Sequence, residues 1–219
     1  MLRRTLIAGG VAAAGLGAWA LTRPKADMAA DDPLMAANAQ TATPANINDM
    51  VVGSPDATVE IIEYASFTCP HCATFHNDVY PLLKADYIDT GKVRFVYREV
   101  YFDRPGLWAS MIARCAGEMR FFGLTSMIYD KQRDWTASGD PATIVDALRR
   151  LAKTAGMTDD TLDACLNDAD KAQDLVGWYR ANAERDDVRS TPTFLINGEK
   201  YSNMSYAEFQ TVLDEKIAG

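Results

Sequence analysis

Two thiols in one short turn carry most of the chemistry this sequence offers. They stand in Cys69-Pro70-His71-Cys72, just after Glu63-Tyr64-Ala65-Ser66-Phe67-Thr68. The apolar run Val59-Glu60-Ile61-Ile62 reads as a strand, and the residues after Cys69 read as a helix. A Cys-x-x-Cys at a strand-to-helix junction is a redox pair, cycling between dithiol and disulfide. Pro70 suits the first helical position, where a missing N–H costs nothing. Cys69 then faces unpaired N–H groups and the positive end of the helix dipole. A thiolate is stabilised there, so the Cys69 thiol should be acidic.

Competing chemistries fit the residues less well. Cys69, Cys72 and His76 have ligand-like spacing, but a structural zinc needs four ligands, and the chain has no second Cys-x-x-Cys or His pair. Covalent haem attachment requires histidine directly after the second cysteine, where Ala73 stands. A structural disulfide closing so short a loop adds little stability. Thiol–disulfide exchange is the better reading. A copper- or zinc-binding dithiol module is the alternative from another class.

The elements around the pair follow from periodicity. Residues 58–64 form the central strand of an α/β fold. Glu63 is an acid in that strand, either at an edge with its carboxylate in water or buried near the thiols. The helix should span 70–87, with Cys72, Phe75, Val79, Leu82 and Leu83 on one face, a kink at Pro81, and His76 in solvent. Val93, Phe95 and Tyr97 mark a second strand. Residues 105–185 read as helix with short breaks, stopped once by Gly156. Then come a short strand over 193–196, an Asn197-Gly198 hairpin turn, a return strand and a closing helix over 206–217. The order is β-α-β, a helical insert, then β-β-α.

These residues resemble a known family. Cys69-Pro70-His71-Cys72, with Phe67 and with Glu63 six residues before the first cysteine, is similar to the active site of the DsbA family, exported thiol–disulfide oxidants with a thioredoxin fold. Thr191-Pro192-Thr193-Phe194 resembles that family's cis-proline loop. The resemblance runs from about Val51 to the C-terminus. It implies a thioredoxin-like domain over 49–104 and 186–219, with a helical domain over 105–185 capping the site. It also implies a nucleophilic Cys69, a resolving Cys72, Pro70 at the helix start, and a His71 that stabilises the thiolate. Glu63 would be a buried acid relaying a proton to or from Cys72, and Thr191 and Pro192 would position a substrate backbone. The implied partners are reduced exported proteins and a membrane, quinone-linked DsbB-like reoxidant. No metal or organic cofactor is implied, and a monomer is expected. Threonine before the cis-proline also occurs in isomerases and reductases, so the direction of exchange stays open, as does a role in cytochrome c maturation.

Cys115 and Cys165 lie on apolar helical faces, either as inert buried thiols or as a second pair. An even cysteine count in an exported protein favours pairing, and some DsbA-like proteins carry a second disulfide in the insert.

Composition and the N-terminus bound the rest. With 219 residues, 48% hydrophobic and 24% charged, the chain can bury a sizeable core. Its net charge of −8 argues against a nucleic-acid partner. Arg3-Arg4, an uncharged run from Leu6 to Leu21, and Ala18-Trp19-Ala20 mark residues 1–20 as a signal peptide or N-terminal anchor. Two adjacent arginines alone are weak evidence for twin-arginine export. Residues 21–48 read as a flexible linker. The expected location is the periplasm, where disulfides persist.

Overall fold

The structure, a computed structural model, describes residues 47–219. The expected signal peptide or anchor over 1–20 and almost all of the expected linker over 21–48 lie outside the described residues. Five strands form one sheet in the order β1-β3-β2-β4-β5. They are β1 (Met50–Val52), β2 (Val59–Ala65), β3 (Val93–Glu99), β4 (Thr193–Ile196) and β5 (Glu199–Ser202). β2 and β3 run parallel, and the other neighbours are antiparallel. The parallel pair needs a crossover, which is the helix that begins at the cysteines. β1 was not expected as a strand, since three residues give no periodicity to read.

α1 spans 70–88 and is not a uniform helix. α-Helical Pro70–Thr74 and Tyr80–Leu83 alternate with π-helical Phe75–Val79 and Lys84–Ile88. Pro81 has no N–H to give the turn before it. Tyr80 N–H instead bonds back to the Phe75 carbonyl, one residue farther than in an α-helix. The wider turn brings Tyr80 and Leu83 into the core, while Leu82 is 46% exposed. The expected face is therefore corrected at Leu82.

Between β3 and β4 lie α2 (Arg104–Cys115), α3 (Glu118–Asp130), α4 (Gln132–Thr136), α5 (Pro141–Thr154), α6 (Asp159–Leu166) and α7 (Ala169–Arg185). Asp103, Asp140, Thr158 and Asp168 cap α2, α5, α6 and α7 with side-chain oxygens. α8 (Tyr206–Ala218) begins with a Ser205–Glu208 capping box. Among the described residues no helix is long and apolar enough to cross a membrane.

The sheet is covered on both faces. Ile61, Phe95, Phe194 and Ile196 join one core with Phe75, Leu83 and Phe209 from α1 and α8. Each such side chain contributes roughly 1.5–3 kcal/mol on burial. On the other face Tyr64 and Leu195 pack with Tyr179 of α7. There the Tyr64 hydroxyl bonds Asp186, and Arg98 ties Asp186 to Asp49. The hairpin between β4 and β5 turns at Asn197 and Gly198, both with positive φ (49° and 82°), as a tight two-residue turn requires.

Candidate active site

β2 ends at Ala65, and the chain passes through Ser66 to Thr68 into α1. Cys69 is the N-cap residue in extended conformation, with Pro70 following it in the first turn. Its backbone is fixed from several directions. Cys69 N–H donates to the Ser66 carbonyl at 3.0 Å, and the Cys69 carbonyl accepts from Ala73 N–H at 3.1 Å. The buried Gln132 of α4 adds a tie from the helical insert. Its side-chain amide donates to the carbonyls of Phe67 at 2.8 Å and Cys69 at 2.9 Å. No sequence signal marked Gln132.

The two thiols stand in opposite electrostatic settings. Cys72 is fully buried (0% exposed), whereas Cys69 retains 8% exposure. Cys69 is held down at about 5 from its ordinary value of 9.0. The Cys72 thiol does most of this by donating to the Cys69 sulfur, with further help from the Thr191 side chain and the N–H groups of Cys72 and His71. The Cys72 thiol is pushed far up, first by burial, then by the same hydrogen bond and by the nearby Glu63 carboxylate. At neutral pH the pair is therefore one thiolate and one thiol.

His71 is exposed, and among the described residues its imidazole has no hydrogen-bond partner. It lines a groove between α1 and the α3–α4 turn with Pro70, Thr74, Asn77 and Arg133.

The Thr191–Pro192 peptide bond is cis. The Cys69 thiol reaches the Thr191 carbonyl at 3.4 Å, so this loop lies against the reactive sulfur although 122 residues separate them. β4 follows at once and pairs with β2, Glu63 opposite Phe194.

Glu63 lies in the middle strand, opposite Tyr97 of β3, and is fully buried. Burial raises its pKa, against the opposing pull of His76. His76 is the largest correction at the site. It is not in solvent: it is 3% exposed, and its Nε2 lies 2.8 Å from Glu63 Oε2. The signal was present in the spacing, because His76 follows Cys72 by four residues and so shares its helix face.

Cys115 and Cys165 are joined in a disulfide, with 6.3 Å between their Cα atoms. The bond links the end of α2 to α6. Cys165 is buried, but Cys115 is exposed rather than inside an apolar face.

A family model described as Thioredoxin matches residues 45–215. The chain belongs to the thioredoxin family. Its form is DsbA-like. The structure of Wolbachia pipientis alpha-DsbA1 superposes with a TM-score of 0.72 at 26% identity, covering 83% of this chain and 96% of that one. A Rickettsia bellii protein carrying the provisional name protein-disulfide oxidoreductase is 34% identical over 78% of this chain. The matched stretch spans 65% of that relative's length. Disulfide bond formation protein D of Bacillus subtilis is 27% identical, covering 77% of each chain. This thioredoxin fold carries the helices α2 to α7 between its β-α-β and β-β-α halves.

Proposed function

We propose that this protein is an exported thiol:disulfide oxidoreductase that introduces disulfides into newly exported proteins. What supports the reading most is the asymmetry of its two thiols. Cys69 is acidic and keeps a narrow exposed edge (8%) beside a strand-like loop, and Cys72 is fully buried behind it with its proton held. In the oxidised form Cys69 and Cys72 are joined. A substrate thiolate attacks the Cys69 sulfur, giving a mixed disulfide and freeing Cys72. A second substrate thiolate then attacks the substrate sulfur of the mixed disulfide. The product leaves with a new disulfide, and Cys69 leaves as a thiolate. A low Cys69 pKa makes that sulfur the better leaving group and stabilises the reduced enzyme, so exchange runs toward substrate oxidation.

Thr191 and Pro192 position the substrate as an extended segment by backbone pairing next to Cys69. His71 stabilises the thiolate through its N–H, and its exposed ring adds a positive charge when protonated. Glu63 exchanges a proton with Cys72. The working compartment is the periplasm, with the N-terminal segment as export signal or anchor. Reoxidation comes from a membrane quinone-linked partner of the DsbB kind, and the enzyme works as a monomer.

The deciding experiment has two parts on the purified protein. One is the reduction potential of the Cys69–Cys72 couple in glutathione buffers. The other is thiolate absorbance against pH, assigned with Cys72→Ser. An oxidant has a potential well above −270 mV, roughly the thioredoxin value, and a Cys69 pKa near the low end of the cysteine range. A thioredoxin-like potential with a Cys69 pKa near 8 moves the protein to the reductases.

A further inference from the structure

Behind Cys72 the core holds a histidine that the exchange steps leave without a task. His76 lies on α1 one turn beyond Cys72, and Glu63 faces it from β2. Both side chains are fully buried, and they share one hydrogen bond, Nε2 to Oε2, at 2.8 Å. The imidazole stacks on Tyr129 of α3, with ring centroids 4.3 Å apart and planes within 14°. The second polar atom of each group, His76 Nδ1 and Glu63 Oε1, has no partner among the described residues. A buried polar atom left unpaired costs about 1–3 kcal/mol. Two such atoms on one pair do not serve stability and call for a chemical reason.

The surroundings restrict which groups trade protons. Tyr80 of α1, Tyr97 of β3 and Tyr129 of α3 face the pair. Burial lifts all three phenols further from neutrality, so they keep their protons. Glu99, farther along β3, is held in an ion pair with Arg114 at 2.6 Å. Glu63, His76 and the two active-site thiols remain.

We propose that His76 is a positioning residue for proton transfer: its Nε2–H holds Glu63 Oε2, so that the free Oε1 can give a proton to Cys72 and take it back. This rests on the exchange reading at Cys69–Cys72. When a substrate thiolate attacks Cys69, the new S–S bond forms as the Cys69–Cys72 bond breaks. The electron pair of the broken bond stays on the Cys72 sulfur. That sulfur is buried, and a bare thiolate there is unfavourable. The proton on Glu63 Oε1 moves to it, leaving Cys72–SH and a carboxylate. The carboxylate keeps its hydrogen bond from Nε2–H, and without that donor an isolated carboxylate in this core would be too costly to form. When the enzyme is reoxidised the proton returns to Oε1 as Cys72 attacks the mixed disulfide on Cys69.

The test compares single-turnover reduction of the Cys69–Cys72 disulfide by dithiothreitol across pH in wild type, His76→Phe, His76→Gln and Glu63→Gln. Phenylalanine keeps the stacking on Tyr129 and loses the donor, whereas glutamine keeps a donor. Expected are a loss of about tenfold or more in His76→Phe, an ionisation moved to higher pH, and recovery in His76→Gln. The double variant His76→Phe/Glu63→Gln should be no slower than Glu63→Gln alone. An unchanged profile in His76→Phe, or a glutamine variant as slow as the phenylalanine one, overturns the proposal. Should the variants not fold, the wild type still decides. The chain has two histidines, so imidazole ¹⁵N signals are readily assigned. His76 should carry a proton on Nε2, shared with Glu63, in both redox states, and a ring protonated on Nδ1 alone overturns the assignment. If dithiothreitol fails to reduce a Cys69–Cys72 bond in wild type, the exchange reading falls as well; normal exchange with no His76 effect removes this inference alone.

Discussion

Cys69 and Cys72 lie one helical turn apart, yet their proton affinities diverge because one sulfur accepts hydrogen bonds at a helix end and the other is enclosed beside a carboxylate. The redox couple inherits this difference. Above about pH 5 the reduced pair is Cys69–S⁻ with Cys72–SH; with the Cys72 proton drawn from Glu63, as proposed above, reduction takes up two electrons and no proton from solution. The potential should then be nearly flat above about pH 5 while Glu63 holds its proton in the oxidised protein, and fall by about 30 mV per unit below that, where Cys69 takes a proton. The depressed pKa stabilises the reduced folded chain fully above the ordinary value of 9.0, and this is lost as pH falls through about 5. At pH 7 it amounts to at most ~3 kcal/mol, or about 60 mV, less whatever water screens at the sulfur. A redox titration at several pH values measures the slope. A slope near 60 mV per unit at pH 7 means both thiols carry protons and the acid Cys69 is wrong.

α4 is one turn long, but it anchors the insert to the active-site loop. Gln132 gives both of its hydrogen bonds to carbonyls of that loop, so Gln132→Leu keeps the volume, leaves the Phe67 carbonyl unpaired and leaves the Cys69 carbonyl with Ala73 N–H alone. Unfolding of the oxidised protein in urea should show a loss of about 1–3 kcal/mol, read as a lower midpoint at unchanged slope. A midpoint equal to wild type means that the tie adds nothing. Nothing in the sequence around Gln132 indicated this contact, because it depends on how α4 docks and not on a local pattern. Much of the remaining site was legible for the opposite reason. The end of β2, the Pro70 helix start, the Thr191-Pro192 loop and the Asn197-Gly198 turn are local signals with local causes. His76 was misjudged by residue type, since histidine is usually exposed. Its helical spacing from Cys72 carried the right answer. Leu82 was misplaced because the π-turn before Pro81 changes which residues face the core.

The whole molecule carries two cysteine pairs at opposite kinds of helix end. Cys69 opens α1, where N–H groups favour a thiolate. Cys115 is the last residue of α2, and Cys165 lies in the last turn of α6. At a helix C-terminus the dipole and the unpaired carbonyls disfavour negative charge, by about 0.3–1 kcal/mol at each end. Burial of Cys165 adds to this. The reduced form of this second pair therefore lacks the thiolate stabilisation proposed for Cys69. Its 50-residue separation also gives the disulfide a stabilising part, about 4 kcal/mol by the chain-entropy model. It fastens α6 to α2, closing a segment that contains α3, α4 and α5, and so it supports the helices that carry Gln132. In a series of glutathione buffers followed by alkylation and mass spectrometry, Cys69 and Cys72 should become labelled first. Cys115 and Cys165 should remain joined until far more reducing conditions, although Cys115 is an exposed residue. Cys115→Ser with Cys165→Ser should lower stability by about 2–4 kcal/mol and leave the Cys69 thiolate titration where it was. Equal labelling of both pairs at one poise would make the second disulfide an exchange site instead of a brace.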